Sequence, residues 1–420
     1  MSGALSPILS ARKPNSGPHQ MADEGIASSA EVVADKAHVA EQEIMRRKWD
    51  NTGRILEEAQ KNKLDPEIPI IVDSMVDHFY SNYLLLNNTD MNRYKGIFSS
   101  KDFDKIYKDA KRVVSCSNCI ERLFLDSAYL ITRRESELFN QNQGLVDQVR
   151  DLANGRRIVF VSIGCGPSYS VESKDCTIVR GLGAEVSIGI DSNPFYADMY
   201  PLFMKKNNSG VTCHGVTQDF FEEKLKIKKF IEKNDFLVFS FLGDTIAQFE
   251  CTKENIKDSA LYKLAKNFNL SARGHDAVLF ATTDTLKDEA ATEQYRAKPF
   301  VDLIDAFNLQ TRAMVDPKFD HRHWIYKPVY IDDRVYFTQT LTGTNQITPY
   351  PGGKTYHFDW PLTIAVGYSQ KMCPEKLFPT LYAAGLRPIK PSIHTTSATG
   401  VILAANDKLA RKMPSLPYCL

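Results

Sequence analysis

Residues 156–168 read RRIVFVSIGCGPS. From Ile158 to Ile163 the run is apolar apart from Ser162. It shows no polar alternation, so it reads as a strand buried on both faces, as in parallel sheets. It ends in Gly164-Cys165-Gly166, where glycines allow a sharp turn and let a ligand approach the backbone closely. Three further stretches share this texture: GAEVSIGID (183–191), DFLVFSFLG (235–243) and HDAVLFATT (275–283). Helical patterns are predicted between them, at Phe195–Lys206, Phe220–Lys233 and Lys253–Asn267. Strands alternating with helices predict βαβ units and an α/β fold with a Rossmann-like parallel core.

Working outward, the 420 residues are enough for two or three packed units at roughly 100–200 residues per domain. Residues 1–30 are rich in Ser, Pro, Gly and Ala and read as a solvated tail. Residues 31–150 read as helical, with one helix through Val32, Val33, Trp49, Ile55 and Leu56 and a second through Ile70, Ile71, Met75 and Phe79. No strand is predicted there, and the region is expected to contribute to a lid. Residues 151–288 form the expected core. Residues 289–365 form an inserted α+β region, with a helical pattern over Glu289–Met314 and alternating strands at RVYFTQTL (334–341) and TYHFDW (355–360). Residues 366–420 are expected to complete the core sheet, with a helix at Pro374–Ala384 and strands near Leu386–Ile393 and Gly400–Ala405.

Composition excludes several classes of function. Hydrophobic residues make up 43% and charged residues 25%, which is ordinary for a globular protein and excludes a fibrous or mainly disordered chain. Lys plus Arg is 52 against 51 for Asp plus Glu, so no net field draws a polyanion, and neither nucleic acid nor a membrane surface is an expected partner. No apolar run approaches the roughly 18 residues of a spanning helix. The eight cysteines are too sparse for a disulfide scaffold and suit a cytoplasmic setting. Cys116 and Cys119 form a C-x-x-C with no second pair at zinc-site spacing, and His321-Arg322-His323 lacks a third ligand, so no metal is expected.

Three features stand in order at predicted strand ends. The first is the Gly164–Gly166 turn. Tyr169 occupies the place of a third glycine, so a dinucleotide fingerprint fails. The second is Asp191, whose two oxygens can accept both hydroxyls of a ribose; its alternative is a helix cap before Pro194. The third is Gln218-Asp219-Phe220, where the carboxylate can accept a purine amine and the ring can lie on the base; the alternative is again a cap, for the predicted helix at Phe220–Lys233. With no obvious phosphate lysine, the expected ligand is a nucleoside without a pyrophosphate. S-adenosylmethionine fits that description.

These residues resemble a known family. SIGCGPS (162–168), IGID (188–191), QDF (218–220) and FLGDTI (241–246) are similar to class I S-adenosylmethionine-dependent methyltransferases, and more narrowly to the histidine-specific group of the ergothioneine pathway. TDTLKD (283–288), Tyr295 with Phe307-Asn308, Tyr129 with TRRE (132–135), SQK (369–371) and AAGL (383–386) carry the narrower likeness. The resemblance implies a Rossmann-like methyltransferase sheet with an additional α+β substrate-binding lid, S-adenosylmethionine as cofactor and a small-molecule amine as acceptor. It places Gly164, Gly166, Ser168, Asp191, Ser192, Asp219, Phe220 and Gly243 at the cofactor, and Gln248, Tyr295, Tyr129 and Ser369 at the acceptor, with Tyr295 and Gln248 as the catalytic pair. Helix packing is the alternative for Tyr295, and a strand-end hydroxyl for Ser369. The sequence departs from the family at Ser162, where an acidic residue is usual, at Gln248, where the family has Asn, and at Gly367, where the histidine enzymes use a Glu to hold the imidazole. L-histidine is therefore not the expected acceptor. A peptide, guanidine or hydroxyl acceptor, or a non-catalytic cofactor-binding scaffold, remains open at this point.

Overall fold

Val159, Val161 and Ile163 pack into one apolar cluster, and Ile158 and Phe160 into another on the opposite side of the same strand. Burial on both faces is why the sequence shows no polar alternation here. In the computed structural model this strand lies inside a seven-stranded sheet. The structure describes residues 47, 50–58, 60–61, 70–71, 130–166, 174–192 and 197–418, the last apart from 198–199, 202–203, 206, 222–223, 244–245, 247–254, 299, 302–303, 306–307, 309–315, 349–351, 360 and 391–397. The chain divides into units Met1–Arg47 and Lys48–Leu420, and the fold described is that of the second. The expected tail at 1–30, the first part of the helical pattern through Val32 to Leu56 and the Cys116–Cys119 pair lie outside the described residues.

In chain order the elements are β1 (Ile70–Ile71), α1 (Leu130–Gln141), α2 (Gln143–Ala153), β2 (Ile158–Ile163), α3 (Lys174–Leu182), β3 (Val186–Asp191), β4 (Thr212–Thr217), β5 (Phe236–Phe241), α4 (Ala260–Ser271) and β6 (Asp276–Asp284). Then come α5 (Asp288–Arg296), β7 (Trp324–Ile331), β8 (Arg334–Leu341), β9 (Asn345–Ile347), β10 (Tyr356–Phe358), β11 (Leu362–Gln370), α6 (Phe378–Ala383), β12 (Leu386–Pro388), β13 (Thr399–Asn406) and α7 (Asp407–Lys412).

The large sheet has the order β12-β13-β6-β5-β2-β3-β4. Strands β4, β3, β2, β5 and β6 are parallel, while β13 runs antiparallel to β6 and β12 antiparallel to β13. From β2 the chain steps outward to β3 and β4, then returns to β5 on the other side of β2. The order reverses between β2 and β5, and open α/β sheets bind their ligands outside the carboxyl ends of the strands at such a reversal.

Helix α4 covers one face through Leu261, Leu264 and Phe268. It begins at Ala260, later than the pattern suggested, because the Ser259 hydroxyl caps it by accepting from the Tyr262 amide. Helices α1, α2 and α3 cover the other face. This corrects the expected lid for residues 130–150. Leu138, Leu145, Val149 and Leu152 lie at helical spacing and bury against the sheet, so these helices are part of the core.

A second, four-stranded sheet has the order β1-β11-β8-β7. Its β7–β8 hairpin turns on Asp332 and Asp333, at φ of 49° and 60°. Ile70 and Ile71, read from the sequence as helical, pair in parallel with Ile364 and Ala365. Strand β11 also crosses the expected boundary at 365/366, so the small sheet continues to Gln370 before the chain returns to the large one. A two-stranded ribbon, β9–β10, is met by the helix at 50–58, where the Tyr356 hydroxyl donates to Asp50 at 2.6 Å.

The predicted helix at Phe220–Lys233 is absent among the described residues, which form turns and one 3-10 turn at Lys228–Phe230. Local side-chain bonds replace helical ones. Gln218 accepts from the Lys226 amide and donates to the Lys224 carbonyl, both at 2.8 Å, and Asp219 accepts from the Phe221 amide.

Gly189 in β3 lies beneath the buried Tyr200 ring, whose atoms would sit 2.3–2.7 Å from an added Cβ. The Tyr200 hydroxyl is held by Ser187 at 2.8 Å, so the ring has little freedom to move. Gly189→Ala is expected to destabilise the protein by roughly 1–3 kcal/mol through overpacking, measured as a lower urea midpoint with an unchanged slope.

Candidate active site

The turn after β2 hangs on the end of β3. Gly164 and Cys165 both donate their amides to the Ile190 carbonyl, at 2.8 and 3.2 Å. Gly164 and Gly166 have φ of 61° and 56°, a region that penalises any Cβ. Among the described residues, an added Cβ on Gly166 would meet nothing nearer than the Gly164 carbonyl at 3.9 Å. The glycine therefore answers to backbone shape.

Asp191 ends β3, and its Oδ2 accepts the Gly166 amide at 3.0 Å. The carboxylate therefore faces the glycine turn. The Gln218 amide donates to the Asp191 carbonyl at 2.9 Å, which ties the end of β4 to the end of β3. Asp219 follows, exposed, with Oδ1 accepting from the Phe221 amide at 2.9 Å. Its capping is of this local turn. Phe220 is half-buried, with its ring centroid 5.7 Å from that of Phe241. Ser192 is exposed just beyond Asp191. Ser168, Gln248 and Tyr129 lie outside the described residues.

This edge suits S-adenosylmethionine. Gly166 brings bare backbone to this edge, a carboxylate such as Asp191 is the group that would accept ribose hydroxyls, and Phe220 is the ring that would lie near the base. When bound, S-adenosylmethionine supplies an electrophilic methyl on a sulfonium leaving group.

The amide of Gly243 is committed within the protein. Its amide donates to both oxygens of Glu135, at 2.7 and 2.9 Å, so that N–H is not offered to a ligand. Glu135 also accepts from the Thr282 hydroxyl. It is fully buried on α1, and burial raises it above the ordinary carboxylate value against the pull of Lys174 and these bonds. Glu135 thus ties α1 to the carboxyl-end region of β5 and β6. The TRRE step contained it, but the sequence reading used that step only as a family mark.

Tyr295 and Ser369 converge on a residue that the reading did not assign. Lys371, just past β11, has a fully buried side chain. Its Nζ donates to Asp284 Oδ2 at 2.8 Å, to the Tyr295 hydroxyl at 2.9 Å and to the Ser369 hydroxyl at 2.8 Å. Asp284 closes β6, and it accepts further from Gln294 at 3.1 Å and from the Leu286 amide at 2.9 Å. Three separate sequence steps, TDTLKD, Tyr295 and SQK, therefore meet at one ammonium. Tyr295 also packs in the small-sheet core, its ring centroid 4.9 Å from Phe337 and 5.1 Å from Phe300. It serves packing and polar contact together.

A parallel sheet whose order reverses at β2/β5, with a glycine turn and a carboxylate at adjacent strand ends, is an open α/β sheet of the kind that binds ligands beyond the carboxyl ends of its strands. The family model described as histidine-specific, S-adenosylmethionine-dependent methyltransferase matches residues 117–406, and the chain belongs to that family. The protein is accordingly an S-adenosylmethionine-dependent methyltransferase. No curated protein matches the chain. Similar solved structures include a sugar N-methyltransferase of Streptoalloteichus sp., 13% identical, covering 62% of this chain and 84% of that one with a TM-score of 0.26. The magnesium protoporphyrin IX methyltransferase of Synechocystis with bound S-adenosylhomocysteine is 11% identical, covering 63% and 82% with a TM-score of 0.31. An amino pentose methyltransferase of Micromonospora echinaspora is 10% identical, covering 64% and 91% with a TM-score of 0.27.

Lys371→Met would leave the Asp284 carboxylate buried without its cation, with an expected loss of about 3–5 kcal/mol in chemical denaturation. A pH effect follows from Glu135. Its proton is held more tightly in the folded state than in the unfolded chain, so its contribution is fully present below the ordinary value of 4.5 and is lost as pH rises through the raised one. Glu135→Gln, which mimics the protonated form, is expected to shrink that decline in a series of denaturation midpoints from acid to neutral pH.

Proposed function

We propose that the enzyme methylates the amine nitrogen of an amino acid or a related small molecule, and that L-histidine is not its preferred acceptor. The observation that carries this reading is the Lys371 cluster. An ammonium only donates hydrogen bonds, so the Tyr295 and Ser369 hydroxyls accept from it and turn their own protons elsewhere. A buried cation with two hydroxyls gathered on it is a polar cluster that would suit the carboxylate of an amino acid, the role the resemblance gives Tyr295 and Ser369. Two positions before Ser369, the strand has Gly367, inside the register irregularity between Ala365 and Tyr368. A glycine offers no carboxylate to read an imidazole, which supports an acceptor other than L-histidine.

The chain's own work is alignment, exclusion of water and supply of a neutral nucleophile. Orientation of two reactants can lower a barrier by about 7–11 kcal/mol. Tyr295 and Ser369 would fix the acceptor so that its nitrogen lone pair faces the methyl; the new C–N bond forms as the C–S bond breaks, and the product nitrogen then sheds a proton to solvent. The amine must be neutral to react, and an apolar pocket favours that form. Phe300, Phe337 and Tyr326 supply apolar surface around Tyr295. Gln248 and Tyr129 belong to this acceptor site by resemblance. A cytoplasmic setting is part of the proposal: Cys165, Cys176, Cys213 and Cys373 are free thiols, and no helix among the described residues is long and apolar enough to cross a membrane.

The test is incubation with methyl-labelled S-adenosylmethionine and a panel of amino acids and small amines, read by mass spectrometry. Label is expected on nitrogen of a small acceptor, with L-histidine slower than the best acceptor by about tenfold or more. Label confined to peptides or oxygen, or L-histidine as the best acceptor, would overturn the reading. Tyr295→Phe is expected to lower kcat/KM by about tenfold or more, the size of one lost hydrogen bond to a charged group, while cofactor affinity stays unchanged.

A further inference from the structure

Behind the glycine turn a second carboxylate is buried with one oxygen unmet. Asp175, in the first turn of α3, is 0% exposed. Its Oδ2 accepts from the Ser162 hydroxyl at 2.7 Å, and its Oδ1 has no hydrogen-bond partner. Ser162 stands on β2, two residues before Gly164. The Cys165 thiol, inside the turn, is pushed up by burial and then by the charges of Asp191 and Asp175. Two carboxylates therefore flank the turn, one on the β3 side and one on the α3 side.

Only the first has a sufficient explanation so far. A buried polar atom without a donor is costly, and each such atom in a native protein calls for a reason. Lys174 is the neighbouring cation and attracts Asp175 through space, yet Oδ1 remains without a bonded donor. The cofactor of this family carries a group of the needed kind. Beyond its sulfur, S-adenosylmethionine ends in an α-amino acid whose ammonium only donates. Were the ribose held at Asp191, whose Oδ2 accepts the Gly166 amide, the arm beyond the sulfur would have to end near the glycine turn, which Ser162 and Asp175 back.

We propose that Asp175 binds the α-ammonium of the cofactor's methionine arm through Oδ1, while Ser162 holds Oδ2 in place. The strand end itself has only a hydroxyl at Ser162, so the negative charge for this contact comes from the helix. Burial keeps Asp175 above its ordinary range against the opposing pull of Lys174 and Ser162, and an ammonium at Oδ1 offsets that penalty by favouring the charged form. The product S-adenosylhomocysteine keeps the same ammonium, so the contact holds donor and product alike. It acts on cofactor binding and leaves the acceptor unaffected.

The experiment uses the full-length protein and calorimetric titration with three ligands. S-adenosylhomocysteine carries the whole arm. Its analogue with hydrogen in place of the α-amino group keeps the carboxylate but not the ammonium. 5′-Methylthioadenosine lacks the arm beyond a methyl. Wild-type protein is expected to bind the deaminated analogue about ten- to a hundredfold more weakly than S-adenosylhomocysteine, the size of one charge-assisted hydrogen bond. Asp175→Asn is expected to lose a similar factor for S-adenosylhomocysteine, to bind 5′-methylthioadenosine as the wild type does, and to stop discriminating the deaminated analogue. Equal wild-type affinity for the two armed ligands overturns the assignment, and so does an Asp175→Asn variant that keeps its S-adenosylhomocysteine affinity or loses affinity for all three ligands equally. If that variant does not fold, the wild-type comparison decides alone.

Discussion

One buried ammonium joins the two sheets. Lys371 leaves the small sheet at the end of β11, and Asp284 closes β6 of the large one. The Met372 amide adds a bond to the Asp284 carbonyl at 3.0 Å, so backbone and side chain meet at one point. A buried cation is tolerable only when its three protons are matched, and here a carboxylate and two hydroxyls match them. The price of such a group is an exacting geometry, because a poor fit leaves a charge unmet in the interior. That geometry fixes where Tyr295 and Ser369 stand relative to the ends of the parallel strands.

The same economy of burial runs along the rest of the edge. Glu135 reaches from α1 to Gly243 and Thr282, Asp191 reaches the Gly166 amide, and Asp175 reaches Ser162. Each carboxylate sits near the carboxyl end of the parallel strands. The opposite end of the sheet treats its charges differently. There Asp276 pairs with Arg156 at 2.5 Å and with Lys412 at 2.8 Å, and those bonds hold its carboxyl below the ordinary range despite burial. At the amino end carboxylates are neutralised by cations of the protein. At the carboxyl end Asp284 is likewise paired, with Lys371, whereas Glu135 and Asp175 are held above their ordinary range by burial.

Legibility followed burial. The strands at 158–163, 186–191, 236–241 and 276–284 are buried along their lengths, and their apolar runs announced them. Strand β4, TCHGVT, is an edge strand with only Val216 buried, and it left no such mark. The expected helix after Asp219 failed because a period of apolar residues says nothing about Gln218, whose amide group takes the backbone partners that a helix would have used. Ile70 and Ile71 fit a helical stripe as well as a strand, and only pairing with β11 chose between them.

The amino-acid sequence alone determined the parallel core, the glycine turn, the placement of Asp191 at a strand end, and through its motifs the cofactor class. These rest on local causes: apolar runs that must be buried on both sides, and glycines that alone accept a positive φ. Tertiary structure alone brought Glu135 to Gly243, Lys371 to Asp284 and Tyr295, and Asp175 to Ser162. Those partners lie 108, 87, 76 and 13 positions apart. A charged residue carries no sign in sequence of whether it faces water or a buried partner, because the cost of burying it is decided by whichever atoms the fold brings to meet it.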